Sequence, residues 1–151
     1  MNTSTLLTWL VTFGLLAWVL AFIFRRSRRF AAHPLAGPRM RQITGLYLPL
    51  LEIVLLLCLL GVAYFSRAGS GGLRNLPAQV FFGLAALCAL VLGVLVAVQG
   101  FTLSERSRSR GELDAARSLR TSGFFVLVVG AAGVLVTMFA ALILANPFIG
   151  S

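Results

Sequence analysis

Apolar positions in this chain neither alternate nor recur once per helical turn. They run together in four blocks, at about 6–24, 43–65, 78–103 and 121–145. Each approaches or exceeds the roughly 20 residues that an α-helix needs to cross a hydrocarbon core of about 30 Å. At that depth no water can satisfy backbone N–H and C=O groups, so each block is expected to be a helix with its bonds closed internally. The polar stretches between them are short, far below the ~50 residues of a separate domain. The whole chain, 1–151, is therefore predicted as one all-α unit: a polytopic membrane protein with four transmembrane helices in two hairpins. Its Arg-rich connections are expected at 25–42 and 104–120.

Composition agrees with that pattern. The 151 residues are 59% hydrophobic and only 11% charged, with a mean hydropathy of +0.96; soluble domains carry about 25% charged residues. The formal net charge is +9, and every basic residue is arginine. Arg25, Arg26, Arg28, Arg29, Arg39 and Arg41 fall between the first two blocks, and Arg106, Arg108, Arg110, Arg117 and Arg120 between the last two. Only Arg67 and Arg74 lie elsewhere. By the positive-inside rule both Arg-rich connections are cytoplasmic and both termini outside, an N-out, C-out arrangement. This accounts for the basicity without nucleic acid. It leaves Arg25, Arg26, Arg28, Arg29, Arg39, Arg41, Arg106, Arg108 and Arg110 to meet anionic headgroups at the cytoplasmic face of the bilayer. Absence of lysine beside abundant Ala, Gly and Leu suggests a GC-rich bacterial genome, hence the cell inner membrane. MNTST carries no basic side chain ahead of the first block, unlike a secretory signal, so that block is expected to be retained.

The second block holds the one acidic residue inside any apolar segment, Glu52. A carboxyl group in hydrocarbon is costly, so it is expected to serve packing, partner binding or chemistry. Gly45, Pro49 and Glu52 stand at i, i+4 and i+7, the spacing of one helix face. Pro49 has no N–H and displaces the bond to the Gly45 carbonyl, loosening the turn before Glu52. With Tyr47, these four are the candidate ion, proton or partner site. No opposite charge lies within the spans, and Gln99, Tyr47, Tyr64 and scattered threonines are the other polar groups there.

Two stripes of small residues come next. Ala85, Ala89, Gly93 and Ala97 recur every fourth residue, and Gly130, Gly133, Thr137 and Ala141 make a second stripe. Such stripes let membrane helices approach closely. Two of them exceed what one hairpin needs, which suggests a homo-oligomer or a docked subunit. Thr5, Thr8 and Thr12 share one line of the first block and Gly14, Ala17 and Ala21 another. Trp18 is expected to pack inside, and Trp9 to sit near the outer interface. Pro34, Gly37 and Pro38 should interrupt the first Arg-rich connection. Gly111, Glu112 and Asp114 read as the start of a helix that enters the membrane from the cytoplasm. Segment 66–79 reads as a flexible Gly- and Ser-rich connector. Arg41–Tyr47 and Arg120–Phe125 share an Arg, hydroxyl, Gly, aromatic order, a faint internal repeat.

Catalytic patterns are sparse. There is no phosphate-binding glycine loop, no HExxH and no paired carboxylates. A lone His33 cannot make a multi-histidine metal site, and Cys58 and Cys88 lack ligand spacing, so no metal or cofactor is expected. Arg39, Tyr47 and Pro49 resemble the second-helix motif of the MAPEG proteins, small trimeric membrane enzymes of glutathione and eicosanoid chemistry. The stretch differs from that motif at Ile43 and Leu46. The resemblance implies a four-span fold and a glutathione- or lipid-directed activity. The residues themselves favour a non-catalytic structural or accessory subunit in a homo-oligomer or larger membrane complex. The alternative is a small transporter or channel coupled to ions or protons through Glu52.

Overall fold

A computed structural model describes residues 3–68 and 74–145, and every regular element in it is helical. The elements are α1 (Thr3–Ala31), α2 (Pro38–Gln42), a π-helical turn (Ile43–Tyr47), α3 (Leu48–Ala68), α4 (Leu76–Ser109) and α5 (Leu113–Ala145). Helices α2 and α3 with the π turn form one continuous rod, so four helices are long and apolar enough to cross a membrane. The chain is a small integral membrane protein by that measure.

The helices outrun their apolar blocks. Arg25, Arg26, Arg28 and Arg29 are inside α1, Arg106 and Arg108 inside α4, and Arg117 and Arg120 inside α5. Arginine is a good helix former and sits favourably in a last turn, near the negative end of the helix dipole. The expected Arg-rich connections thus shrink to residues 32–37 and 110–112. Pro34 interrupts the first, Gly37 caps α2 in an extended conformation, and Pro38 opens α2. At the second, the Glu112 N–H reaches the Ser107 carbonyl and the Gly111 N–H reaches that of Arg108. This is a Schellman cap, and Gly111 supplies its left-handed residue at φ 80°. The Gly- and Ser-rich connector expected at 66–79 lies partly outside the described residues.

Packing follows the small residues. Helices α4 and α5 share the largest interface; α3 lies mainly on α4, and α1 on α5 and α4. A Cβ placed on Gly93 would stand 3.0 Å from the Gly130 Cα, and one on Gly100 3.2 Å from the Gly123 Cα. Ser104 Oγ donates to the Ala116 carbonyl at 2.7 Å. These pairs run in opposite senses along the two helices, which are therefore antiparallel. At Gly133 a Cβ would meet Val19 of α1 at 2.7 Å, and at Gly61 the Phe81 ring at 2.8 Å. The small-residue stripes are thus filled from within the chain, where the sequence suggested a surplus for other subunits.

Outward faces are apolar. Leu7, Leu10, Leu60, Val128 and Leu135 are each more than 60% exposed, as suits lipid and would not suit water. Trp18 belongs to this belt. It is 57% exposed and stacks on Phe22 of its own helix, which corrects its expected interior position. Cys58 and Cys88 are free and buried in one cluster with Leu55, Leu59 and Ala89. His33 Nδ1 accepts from the Leu35 N–H and shapes the first connection.

Candidate functional site

The second rod is irregular where Pro49 requires it. Lacking an N–H, Pro49 cannot bond the carbonyl one turn back, and its ring needs room there. The chain widens just before it, and the Leu48 N–H reaches five residues back to the Ile43 carbonyl. A π turn of this kind adds a residue without ending the helix. Within it Thr44 points inward and is buried, whereas Gly45 and Tyr47 are exposed.

Thr44 enters a buried polar knot. Ser27 Oγ of α1 donates to Gln99 Oε1 of α4 at 2.8 Å. Its single proton being used, Ser27 accepts from Thr44 Oγ1, also at 2.8 Å. Gln99 Nε2 points to the Met40 carbonyl and to Thr44 Oγ1, each at 3.4 Å. Thr44 Oγ1 also lies 3.1 Å from the Met40 carbonyl, which the Ile43 N–H shares at the end of α2. Ser27, Thr44 and Gln99 are all buried. The knot ties α1, the second rod and α4 together where the arginines gather. In the sequence Gln99 and the threonines read only as scattered polar groups, and Ser27, between Arg26 and Arg28, carries no signal of its own. An amide deep inside an apolar span is the signal that points to the knot.

Beyond the knot α1 and α3 hardly touch. Between them runs a groove of about 380 Å³ lined by Phe13, Leu16, Ala17, Leu20, Ala21 and Phe24 on α1, and by Glu52 and Leu56 on α3. Glu52 stands eight residues past Thr44, roughly 12 Å along the rod at ~1.5 Å per residue. Its Oε1 is buried and accepts no hydrogen bond from any of the described residues. Of the four candidate residues in this stretch, only Glu52 lines the groove; the π turn carries Gly45 out of line, with nothing within 4 Å of where its Cβ would stand. Pro49 acts through the backbone, and Tyr47 faces outward, 47% exposed.

A second concavity, about 560 Å³, opens on the other side of the knot. Arg39 and Arg106 stand at one end; Ile43, Leu95 and Val98 form its apolar wall, with Gln99 and Thr102 between. Arg106 Nη1 donates to the Leu35 carbonyl at 2.7 Å, which brings the two Arg-rich connections together. A third cavity, about 480 Å³, lies on the opposite face of α4 and holds Arg108, Arg117, Arg120 and Glu105. Arg26 and Arg28 lie over Phe22 and Phe24, 5.4 and 5.8 Å from the ring centres, while Arg25, Arg29, Arg41 and Arg110 are exposed.

On the remaining stripes, Ala85, Ala89, Gly93, Ala97, Gly130, Gly133 and Thr137 are buried. The internal repeat does not carry over to structure. Thr44 is buried and Gly45 exposed, but Gly123 is buried against Phe101 and its neighbour Ser122 lies outside any knot. Of the residues that carry the resemblance to MAPEG proteins, Arg39 and Pro49 flank the π turn, while Tyr47 lines none of the three cavities. In comparison with known proteins, no family model, no curated protein and no solved structure matches this chain.

Proposed function

We propose that this protein is a non-catalytic accessory subunit of a membrane assembly, and that the α1–α3 groove receives a membrane-spanning segment of a different subunit. The observation that carries this reading is Glu52 Oε1, buried in that groove without a donor. A carboxyl in hydrocarbon is stable only with a partner for its charge or its lone pairs. Ala17 and Ala21, four residues apart on the facing wall, are small enough for a third helix to come close. The partner's chemistry follows from the carboxyl: a helix with Arg, Lys or His at matching depth. A second copy of this chain has no basic side chain deep in a span, so the occupant is a different protein. Around Glu52 the groove walls are otherwise apolar, with no second polar station for a proton relay.

The test is site-specific photo-crosslinking in the native membrane. A photoreactive residue at Leu56 should give one discrete adduct, whose mass-spectrometric peptide contains a basic residue within an apolar span. The same group at Val128, 64% exposed on α5, should give none. Glu52→Leu should abolish the Leu56 adduct. An adduct indifferent to Glu52→Leu, or one formed only with lipid, would defeat the proposal. If Glu52→Gln keeps the adduct but abolishes proton- or ion-dependent flux in vesicles, Glu52 is a coupling residue and the transporter reading replaces this one.

A further inference from the structure

The cavity between α2, the π turn and α4 points to a separate ligand, and we infer that it is a binding site for a single anionic phospholipid. Its lining is graded along both helices: on α4 it passes from Arg106 through Thr102 and the adjacent Gln99 and Val98 to Leu95, and on the second rod from Arg39 to Ile43 one turn on. Leu95 is eleven residues before Arg106, so the change from guanidinium to hydrocarbon wall takes about 16 Å along α4 at ~1.5 Å per residue. A phospholipid has the same order: phosphate, ester linkages, acyl chain. Free phosphate would use only the arginine end and leave the apolar wall bare.

Charge and shape both favour this occupant. Arg106 spends one N–H on the Leu35 carbonyl, which fixes the guanidinium in place and leaves its other donors for a phosphate. Arg39 is exposed, and no hydrogen bond holds its side chain among the described residues. Two guanidinium groups suit a phosphate's oxygens, since they can offer paired N–H donors. The volume, about 560 Å³, lies in the ~300–1,000 Å³ range of small-molecule sites. It accommodates a headgroup and the first part of one chain, with the remainder in the bilayer. The back wall is held rigid, because Gln99 and Met40 belong both to the cavity and to the polar knot. The Arg108, Arg117 and Arg120 cavity on the other face of α4 is the contrast. It has more arginine but also the Glu105 carboxylate, which repels phosphate, and along α5 its order is reversed, with Leu113 and Ala116 before Arg117 and Arg120.

The test uses the full chain reconstituted in vesicles of equal parts phosphatidylglycerol and phosphatidylcholine, released into mild detergent and weighed by native mass spectrometry. One phosphatidylglycerol per chain should be retained in preference to phosphatidylcholine, and excess inorganic phosphate should not displace it. Arg39→Gln should lower retention about tenfold, the usual scale for losing a charge-assisted hydrogen bond. It should not alter the melting curve, because that side chain holds nothing else. Val98→Trp, which fills the apolar wall, should lower retention similarly, and Arg108→Gln should leave it unchanged. Equal losses in Arg39→Gln and Arg108→Gln would mean diffuse attraction and overturn the site. Displacement by inorganic phosphate, with Val98→Trp silent, would reduce it to a simple anion site and overturn the lipid. Absence of any retained phosphatidylglycerol would also overturn it. None of these readouts depends on Glu52 or on the partner proposed for it.

Discussion

Glu52 and Gln99 are both polar side chains inside apolar helices, and among the described residues Gln99 has its partners whereas Glu52 Oε1 has none. Gln99 accepts from Ser27 and directs its amide towards Met40 and Thr44, whereas Glu52 Oε1 has no donor. Removing one partner of a buried bond leaves the other unsatisfied, but removing an already unsatisfied group relieves a cost. Hydrogen bonds between membrane helices are modest, around 0.6 kcal/mol on average and up to ~1.7. Ser27→Ala should therefore destabilise the isolated chain by about 1–2 kcal/mol, since it strands Gln99 as well as losing its own bonds. Glu52→Leu should stabilise the isolated chain by about 1 kcal/mol while weakening its assembly. Denaturant unfolding in detergent, followed by circular dichroism, measures both. Opposite signs for the two substitutions are the expected result. Destabilisation by Glu52→Leu would show that the carboxyl has a partner within the chain. Glu52 stood out in the sequence because a lone acid in an apolar block has no neighbour to hide behind. Ser27 did not, because between four arginines its hydroxyl looked like part of a solvated cationic run. Only the lengthening of α1 past its apolar block carries it inside.

At the scale of elements, the π turn matters most. Its cause was legible in Pro49, but its consequence was not. A regular helix would keep Gly45, Pro49 and Glu52 on one face, and the inserted residue changes the phase instead. Thr44 turns in to the knot, Gly45 turns out, and Glu52 is left at the edge of the α3 contact line beside Leu48 and Leu55. Pro49→Ala restores an N–H and permits a regular bond to the Gly45 carbonyl, which by itself favours the helix. Regularising the turn would also rotate α2 and take Thr44 away from Ser27. The two effects oppose each other, and a double-mutant cycle separates them. Pro49→Ala should be destabilising or neutral in the native background, and stabilising where Thr44→Ala has already removed the knot contact. The expected coupling is about 0.5–2 kcal/mol, read from unfolding midpoints of the four proteins. Additivity within ~0.3 kcal/mol would mean that the turn does not position Thr44. The small-residue stripes teach a related lesson. Their spacing revealed close helix approach, but spacing alone does not say whose helix approaches. Gly93 meets Gly130 and Gly133 meets Val19, all in one chain.

For the whole molecule, the four membrane-length helices were readable because block length and hydrocarbon thickness are set by the same dimension. The bundle's open side was not readable, since apolar residues lie on every side of α1 and α3 within their spans and lipid is no less suitable a neighbour than protein. One property of the whole molecule still depends on charge alone, its orientation. The hydrogen bond from Arg106 to Leu35 joins the two Arg-rich connections at one end of the bundle, and only Arg67 and Arg74 lie outside that end. Lys and Arg close to a span resist translocation, so an imbalance of eleven arginines to two strongly favours keeping the crowded end in the cytoplasm. With Cys58 and Cys88 replaced by alanine, Ser109→Cys at the crowded end should react with an impermeant thiol reagent only after cells are opened. Arg74→Cys at the other end should react in intact cells. That orientation would put the Arg39–Arg106 cavity at the leaflet richest in anionic lipid. Labelling of Ser109→Cys in intact cells would invert the molecule, and the phospholipid site would then face the leaflet poorer in its ligand.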